Sequence, residues 1–211
     1  MSDPLPEGVA RRRFGERRAL ATQGEPVGEE ATADGWRAWD PGRSKLGAML
    51  ERGLDTGLGP DAGVLYLGAA AGTTASHVAD VAGPTYAVEF APRPVHDLLD
   101  VAASRPNLVP LLKDARRPAT YAHVVEADLD MLVQDVATRG QARVALANRQ
   151  FLAPDGRLAL AIKARSEDVT RDPAAVFAEV TAELEEGYEV LETASLEPHH
   201  ADHRAVIARP A

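Results

Sequence analysis

Small residues fill the stretch from Gly68 to Gly72, which separates an apolar run from a helical segment opened by Thr73 and Thr74. Small side chains let the backbone approach a ligand closely, and unpaired N–H groups at a helix N-terminus favour a polar or anionic group. Glu89 follows Gly68 by about 20 residues and ends the next apolar run, where doubly wound folds place a carboxylate on the ribose of a nucleoside cofactor. The pattern predicts an adenosine-containing cofactor.

The spacing of the glycines narrows the cofactor class. Gly68 and Gly72 form G-x-x-x-G, which differs from the dinucleotide fingerprint G-x-G-x-x-G, and no Lys-Ser or Lys-Thr of a P-loop follows. The loop therefore favours S-adenosylmethionine over nicotinamide cofactors and nucleoside triphosphates. The alternative is a glycine-rich turn that only packs a helix against a sheet.

Charged residues at the ends of predicted strands form a second group. Glu89, Asp135 and Lys163 end apolar runs, and Asp114 follows another. Ligands of open parallel sheets bind at the carboxyl ends of the strands. His203 begins a last strand that we expect to run antiparallel, so its side chain belongs to the same edge. We expect all five side chains to meet in one crevice.

Each of these residues has a predicted role. Glu89 would accept hydrogen bonds from the ribose, Asp114 would bind the adenine amino group, and Phe90 would pack against the adenine ring. Asp114 could equally be a helix cap. A carboxylate directly after a buried strand needs solvent or a partner, which for Asp135 is Lys163. This pair could be purely structural, but its position above the cofactor loop favours a function.

The lysines are unusually few. Lys45, Lys113 and Lys163 are the only three among 23 basic residues. A chain that uses arginine nearly everywhere keeps a lysine where a compact ammonium is required, or by chance on a solvated face.

Three imidazoles within five positions, His199, His200 and His203, could in principle converge on a metal ion. They occupy a predicted hairpin turn without a nearby cysteine or an obvious fourth ligand, so we predict no metal. The remaining histidines are assigned to surface-like positions without a role: His77, His96 and His123.

The composition describes the setting. The 211 residues carry a net charge of −9 and include no cysteine, which excludes disulfides. An acidic excess with scarce lysine is typical of proteins that stay soluble in concentrated salt. Because the Debye length is about 3 Å in molar salt, net acidity does not exclude an RNA partner. No apolar run approaches a membrane span, and we expect a cytoplasmic protein.

Strands and helices must alternate to position these residues. The apolar pattern predicts strands near 64–67, 85–90, 108–112, 129–134 and 157–163, helices near 73–82, 93–104, 141–152 and 173–186, and a terminal antiparallel hairpin at 188–196 and 204–209. Ser44 is a candidate N-cap of an earlier helix. We expect an α/β fold, the Rossmann-like class I methyltransferase type, with a mostly parallel seven-stranded sheet. Residues 1–42 would form a small N-terminal module, β-hairpin-like or partly disordered, and residues 43–211 the methyltransferase domain.

The chain resembles the archaeal fibrillarin family from about Val27 to the C-terminus. The matching motifs, in order, are Arg43-Ser-Lys-Leu, VLYLGAAAGTT from Val64, Ala87-Val-Glu-Phe, Lys113-Asp-Ala, Gln134-Asp-Val-Ala, Ile162-Lys-Ala-Arg-Ser-Glu-Asp-Val, and Leu196-Glu-Pro followed by Asp202-His203.

The resemblance implies methyl transfer from S-adenosylmethionine to ribose 2′-hydroxyls of rRNA and pre-tRNA that a box C/D guide RNA selects, with the Nop5 (Nop56/58-type) scaffold and L7Ae as partners. It implies a catalytic tetrad of Lys45, Asp135, Lys163 and His203. The cofactor contacts implied by loop and resemblance together are Gly68, Ala69, Gly72, Thr73, Thr74, Glu89, Phe90, Asp114, Ala115, Asp135, Val136, Ala137 and Thr138.

Three positions depart from the family pattern. Thr138-Arg139 replaces the usual Gln-Pro, Ala71 stands where Ser is common, and His199-His200 replaces a Tyr and an acidic residue. The first departure keeps open a non-catalytic subunit of the same ribonucleoprotein that binds cofactor or RNA. A small-molecule methyltransferase is the third possibility, and the absence of a segment for a lid over the crevice disfavours it.

Overall fold

An antiparallel four-stranded sheet precedes the α/β part of the chain in the computed structural model, which describes residues 5–211. Its strands are Ala10–Phe14 (β1), Arg17–Gln23 (β2), Thr32–Ala33 (β3) and Trp36–Trp39 (β4), in the spatial order β1-β2-β4-β3. The N-terminal module is thus a small sheet rather than a single hairpin or a partly disordered segment. Residues 1–4 of that predicted module lie outside the described residues.

A seven-stranded sheet forms the centre of the remaining chain. Its strands are Val64–Leu67 (β5), Thr85–Glu89 (β6), Leu108–Leu112 (β7), Leu129–Gln134 (β8), Leu152–Lys163 (β9), Tyr188–Ser195 (β10) and His203–Pro210 (β11), in the spatial order β10-β11-β9-β8-β5-β6-β7. Strands β5 to β9 pair in parallel, and β11 runs antiparallel to both β9 and β10. The predicted sheet, including its terminal hairpin, is confirmed. The largest difference among the strands is in β9, which begins at Leu152 and not near residue 157; the helix predicted at 141–152 correspondingly ends at Asn148.

Helices connect and cover these strands. They are Lys45–Glu51 (α1), Thr73–Val81 (α2), Pro92–Ala102 (α3), Gln141–Asn148 (α4), Ala164–Glu167 (α5) and Pro173–Leu184 (α6), with 3₁₀ turns at Pro118–Thr120 and Arg149–Phe151. The Ser44 side chain accepts a hydrogen bond from the Gly47 N–H, which confirms the predicted N-cap of α1. No helix among residues 5–211 is long and apolar enough to cross a membrane.

The central strand β5 is buried along its whole length because both faces of the large sheet are covered there. All four residues of β5 are buried. Val64 and Tyr66 pack into a cluster with the N-terminal sheet and α1, whereas Leu65 and Leu67 pack into a second cluster with α4 and α6. A strand buried on both faces cannot place polar residues along its length. In the central strand, polar side chains can therefore follow only at the strand end, and chemistry belongs at the edge of the sheet.

Buried charges hold the N-terminal sheet against α2. The Arg37 side chain, on β4, is fully buried and donates to Asp80 at 2.7 Å and to Glu30 at 2.7 Å. Next to it the His77 ring stacks on Trp39 with a centroid distance of 4.7 Å. The assignment of His77 to the surface was wrong, because its side chain is only 1% exposed.

Candidate active site

A cleft of about 470 Å³ opens at the carboxyl edge of the parallel strands. Nine of the predicted cofactor residues line it, namely Gly68, Glu89, Phe90, Asp114, Ala115, Asp135, Val136, Ala137 and Thr138, together with the predicted catalytic Lys163. Four others do not line it: Ala69, Gly72, Thr73 and Thr74. The two threonines instead face a smaller cavity beside Ser44. The cleft also includes Ala70, Lys113 and Arg116, which we did not predict as cofactor contacts.

The small residues of the loop are required by close contacts. Gly68 has φ +85°, and a Cβ there would lie 2.4 Å from the carbonyl oxygen of Asp135. Gly72 has φ +86°, and its Cβ would lie 2.7 Å from a methyl group of Leu98. Only glycine satisfies both the left-handed backbone and these distances. The loop is therefore pressed against the end of β8 on one side and against α3 on the other.

Glu89 connects the loop to the following helix. One carboxylate oxygen accepts the Ala70 N–H at 2.9 Å, and the other accepts the Ala91 N–H at 2.8 Å. An ionised carboxylate offers about four lone-pair sites, so two stay free for a ligand diol. The adjacent Phe90 ring is 67% exposed on the same cleft. A carboxylate with spare acceptors beside an exposed aromatic ring fits a nucleoside.

Asp114 faces the cleft with its carboxylate already held. The Arg116 guanidinium donates to both oxygens at 2.8 to 3.1 Å, and the Arg116 N–H donates to Oδ1 at 3.0 Å. The hydrogen bonds from Arg116 hold the pKa of Asp114 below its usual range. The side chain thus caps a turn before the 3₁₀ segment at Pro118, and as an ionised acceptor it remains able to bind an amino group.

Two lysines bracket the Asp135 carboxylate. Lys163 Nζ lies 2.9 Å from Oδ1 and Lys45 Nζ lies 3.2 Å from Oδ2. The three side chains are each between 16% and 21% exposed, so the ions are largely withdrawn from solvent while still accessible. Lys45 is the first residue of α1, directly after the Ser44 cap. Residues far apart in the chain therefore form one cluster at the end of β8.

His203 lies beside this cluster, because it pairs with Lys163 in the register of β11 and β9. Its Nδ1 is 2.6 Å from the Ala201 carbonyl oxygen, which can only accept, so Nδ1 carries the proton and Nε2 keeps a free lone pair. Burial lowers the pKa of His203, and the charges of Lys45 and Lys163 lower it further. The lowered pKa favours the neutral imidazole at neutral pH.

The other two imidazoles of this turn point to separate partners. His199 Nε2 is 2.6 Å from Glu51, and His200 Nε2 is 2.8 Å from the Pro41 carbonyl oxygen. Within the described range, residues 5–211, no three His, Cys, Asp or Glu side chains are arranged to hold a metal ion.

Two polar residues at the site escaped the sequence analysis. Tyr66 is 2% exposed; burial raises the pKa of its hydroxyl, the negative charge of Asp135 raises it further, and a hydrogen bond with Thr74 opposes this. Gln141 is fully buried at the start of α4. A tyrosine within an apolar strand was a usable signal, since a buried hydroxyl needs a partner. Nothing local in the sequence marked Gln141.

Gln141 fixes the backbone of Lys163 from both sides. Its Oε1 accepts the Lys163 N–H at 2.9 Å, and its Nε2 donates to the Lys163 carbonyl at 3.1 Å and to Glu167 at 3.0 Å. Glu167 in turn accepts the N–H groups of Gly140 and Gln141 at the start of α4. The end of β9 and the start of α4 are thereby joined beneath the ammonium group.

Known proteins share this sequence and architecture. A Fibrillarin family model matches residues 9–211. The fibrillarin-like rRNA/tRNA 2′-O-methyltransferase of Haloarcula marismortui is 68% identical over 206 residues, covering 98% of each chain.

Two solved structures are similar over nearly their whole length. Aeropyrum pernix fibrillarin, in complex with natively bound S-adenosyl-L-methionine, has a TM-score of 0.84 at 39% identity and covers 97% of this chain and 95% of its own. A fibrillarin/Nop5p complex provides the other, with a TM-score of 0.86 at 37% identity, covering 98% and 99%. With the family match extending over residues 9–211 and this degree of identity, the chain belongs to the fibrillarin family.

Proposed function

We propose that this protein transfers the methyl group of S-adenosylmethionine to the ribose 2′-hydroxyl of rRNA and pre-tRNA nucleotides that a box C/D guide RNA selects. The observation that carries the proposal is the Asp135 carboxylate held between two ammonium groups at the mouth of a nucleoside-sized cleft. The names of relatives with 68% and 39% identity support both the reaction and the cofactor.

The cleft residues fit the cofactor. Glu89 retains acceptor sites for the ribose diol, Phe90 offers an exposed face for the adenine, and Asp114 is an ionised acceptor for the amino group. The segment after Asp135 also lines the cleft, through Val136, Ala137 and Thr138. When bound, the cofactor supplies an electrophilic methyl group on a sulfonium, a leaving group that needs no acid.

The tetrad residues act on the RNA hydroxyl. Asp135 accepts its hydrogen bond and aligns the oxygen for in-line attack. The Lys163 ammonium stabilises negative charge that develops on this oxygen as its proton passes to the Asp135 carboxylate. Lys45 holds the second carboxylate oxygen, and the neutral His203 orients the ribose through its free Nε2. As the new carbon–oxygen bond forms, the carbon–sulfur electron pair moves to sulfur.

Partners complete the proposal. A solved structure with a TM-score of 0.86 is a fibrillarin/Nop5p complex, so we include a Nop5-type scaffold, with L7Ae and guide RNA in the same particle. Target choice is thereby delegated to base pairing outside this chain. We further propose that the protein acts in the cytoplasm.

The decisive experiment measures transfer of labelled methyl to a guide-matched RNA in high KCl, with and without the reconstituted partners, and maps the modified nucleotide. Lys163→Ala and Asp135→Asn should each lower the guided rate by about 10²-fold or more, because positioned proton-transfer groups contribute 10²–10⁴. Arg143→Ala is the matched control, since among residues 5–211 this exposed arginine pairs only with Glu183.

Unchanged turnover in both site variants would refute the assigned roles. Measurable cofactor binding without any transfer in the complete particle would instead favour the non-catalytic subunit, and would direct attention to Thr138, which lines the cleft, and to its neighbour Arg139.

A further inference from the structure

The hairpin of β1 and β2 carries a concentration of positive charge that the rest of the chain lacks. Five of the eight residues from Arg11 to Arg18 are arginines, in a chain with a net charge of −9. The others are Phe14, Gly15 and Glu16, with Gly15 and Glu16 exposed in the turn. Three of the five arginines have contacts within the chain: Arg11 donates to the Glu51 carbonyl, Arg12 lies over the Trp36 ring and Arg17 pairs with Asp40.

Two of these arginines oppose each other directly. Arg13 on β1 and Arg18 on β2 are register partners, and both are exposed. Like charges at opposite positions of an antiparallel pair destabilise it. Among residues 5–211 no carboxylate lies within ion-pair distance of either, although Arg17 pairs with Asp40 at 3.2 Å. An acidic chain that leaves these two cations without a carboxylate favours an anion from outside.

The hairpin also adjoins the reactive edge. Asp40, which pairs with Arg17, begins a turn that leads to α1. In this turn the Arg43 N–H donates to the Asp40 carbonyl, and Arg43 precedes Lys45 by two residues. The Pro41 carbonyl in the same turn contacts His200, whose ring lies 5.7 Å from that of His203. A series of contacts therefore connects the hairpin through this turn to the tetrad.

The guanidinium group of arginine binds a phosphate more specifically than the ammonium group of lysine does. Its planar fork makes two parallel hydrogen bonds to phosphate oxygens. In concentrated salt, electrostatic attraction is screened beyond about 3 Å. Direct contacts of this kind therefore still contribute to binding when long-range attraction does not. Arg12 is held in a different way, with its guanidinium 4.4 Å above the Trp36 ring. Arg13 and Arg18 are consequently the two arginines best placed to contact phosphates of an RNA backbone.

We propose that the β1–β2 hairpin, through Arg13 and Arg18, binds phosphates of the RNA strand beside the target nucleotide. The inference rests on the proposed function, because it deepens the choice of substrate. It assigns to the N-terminal sheet a positioning task that is independent of base sequence, since phosphate contacts fix register without reading bases.

The test uses the complete particle with Arg13→Gln/Arg18→Gln, and measures RNA affinity and guided methylation over a series of KCl concentrations. We expect RNA affinity to fall roughly tenfold at the lowest salt, and the slope of log affinity against log salt to lose about one per lost contact. Affinity for S-adenosylmethionine should not change. The thermal midpoint of the free protein should stay equal or rise, because a repulsion is removed.

Two further variants make the result specific. Arg13→Lys/Arg18→Lys keeps both charges without the fork and should lose less affinity. Arg143→Gln/Arg209→Gln removes the same charge from arginines that pair with Glu183 and Glu189, and should match the wild type.

An unchanged affinity and slope in the glutamine variant would overturn the inference, as would a loss confined to assembly with the protein partners in the absence of RNA. Because RNA binding is measured directly, a wild-type particle that binds RNA and transfers no methyl would refute the proposed function alone.

Discussion

The two ammonium groups beside Asp135 are held in different ways. Lys45 stands at the start of a short helix, where its position depends on the Ser44 cap and on the packing of α1. Lys163 ends a long buried strand, and Gln141 binds its backbone on both sides. The distance from Lys163 to the carboxylate is 2.9 Å. The position of Lys163 therefore depends on hydrogen bonds between its backbone and the Gln141 side chain, which a mutation of Gln141 can remove.

Gln141→Leu removes three hydrogen bonds and leaves the Lys163 amide and Glu167 partly unsatisfied. We expect a loss of about 1–3 kcal/mol in stability from the unsatisfied buried groups. Guided methylation should fall by about tenfold or more at saturating RNA, since small displacements at a reacting centre are costly. Gln150→Leu is the control, because within the described part of the chain that exposed side chain donates only to the Ala147 carbonyl. Equal rates for the two variants would show that Gln141 does not position Lys163.

Helix α1 is the element through which the N-terminal sheet acts on the site. It packs so closely on Trp39 that a Cβ at Gly47 would lie 2.9 Å from the indole nitrogen. Lys45 stands two residues earlier on the same helix, 3.2 Å from Asp135. Glycine has a poor helix propensity, but at position 47 it allows α1 to pack directly against Trp39. This contact sets the position of α1 and therefore of the Lys45 ammonium group.

Gly47→Ala tests this contact. Alanine favours a helix over glycine by about 1 kcal/mol, yet we expect net destabilisation of about 1–3 kcal/mol from overpacking. Methyl transfer should decline with it as Lys45 moves. Gly59→Ala is the matched control, since its Cβ would meet nothing within 4 Å. Denaturant unfolding and guided methylation measure both effects, and a stabilised Gly47→Ala variant would contradict the expected overpacking.

At the scale of the whole molecule, buried charge joins the N-terminal sheet to helix α2, which covers the large sheet. Glu30 binds the fully buried Arg37 at 2.7 Å and lies 3.3 Å from His77. Burial alone would raise the pKa of Glu30, but the hydrogen bonds from His77 and the Val27 N–H, with the positive charge of Arg37, lower it to about 2. The contact between the N-terminal sheet and α2 therefore depends on an ionised carboxylate. The domain boundary between residues 42 and 43, which separates the N-terminal module from the methyltransferase domain, remains a proposal.

Acid should weaken the molecule through this group. Because its pKa falls from 4.5 to about 2 on folding, Glu30 contributes stability that is present above pH 4.5 and is lost as the pH drops toward 2. We expect roughly 1–3 kcal/mol from this linkage. Glu30→Gln should be less stable at pH 7 and show a shallower decline below pH 4.5 in denaturant titrations. The exposed Glu192→Gln should follow the wild-type curve, and a parallel decline in both variants would count against the buried pair.

The sequence predicted the large sheet well and the N-terminal sheet poorly, for a physical reason. β5 and its neighbours are apolar on both faces, so their pattern is visible without knowing what covers them. In β4 the Arg37 side chain is buried, and its partners Glu30 and Asp80 come from other segments. The charged residue therefore hid the buried strand from a prediction based on apolar patterns. Lys45 was assigned only through the family resemblance, since its ion pair joins distant parts of the chain.

The contact between Gly68 and the Asp135 carbonyl has a consequence for how such an enzyme can diverge. A side chain acquired in the loop would be pushed into the backbone that carries the reactive carboxylate, at 2.4 Å. Changing the nucleoside pocket at this point therefore disturbs the chemistry at the same time. We expect the two to be inherited together in descendants that retain the reaction, and to drift together in any that abandon it.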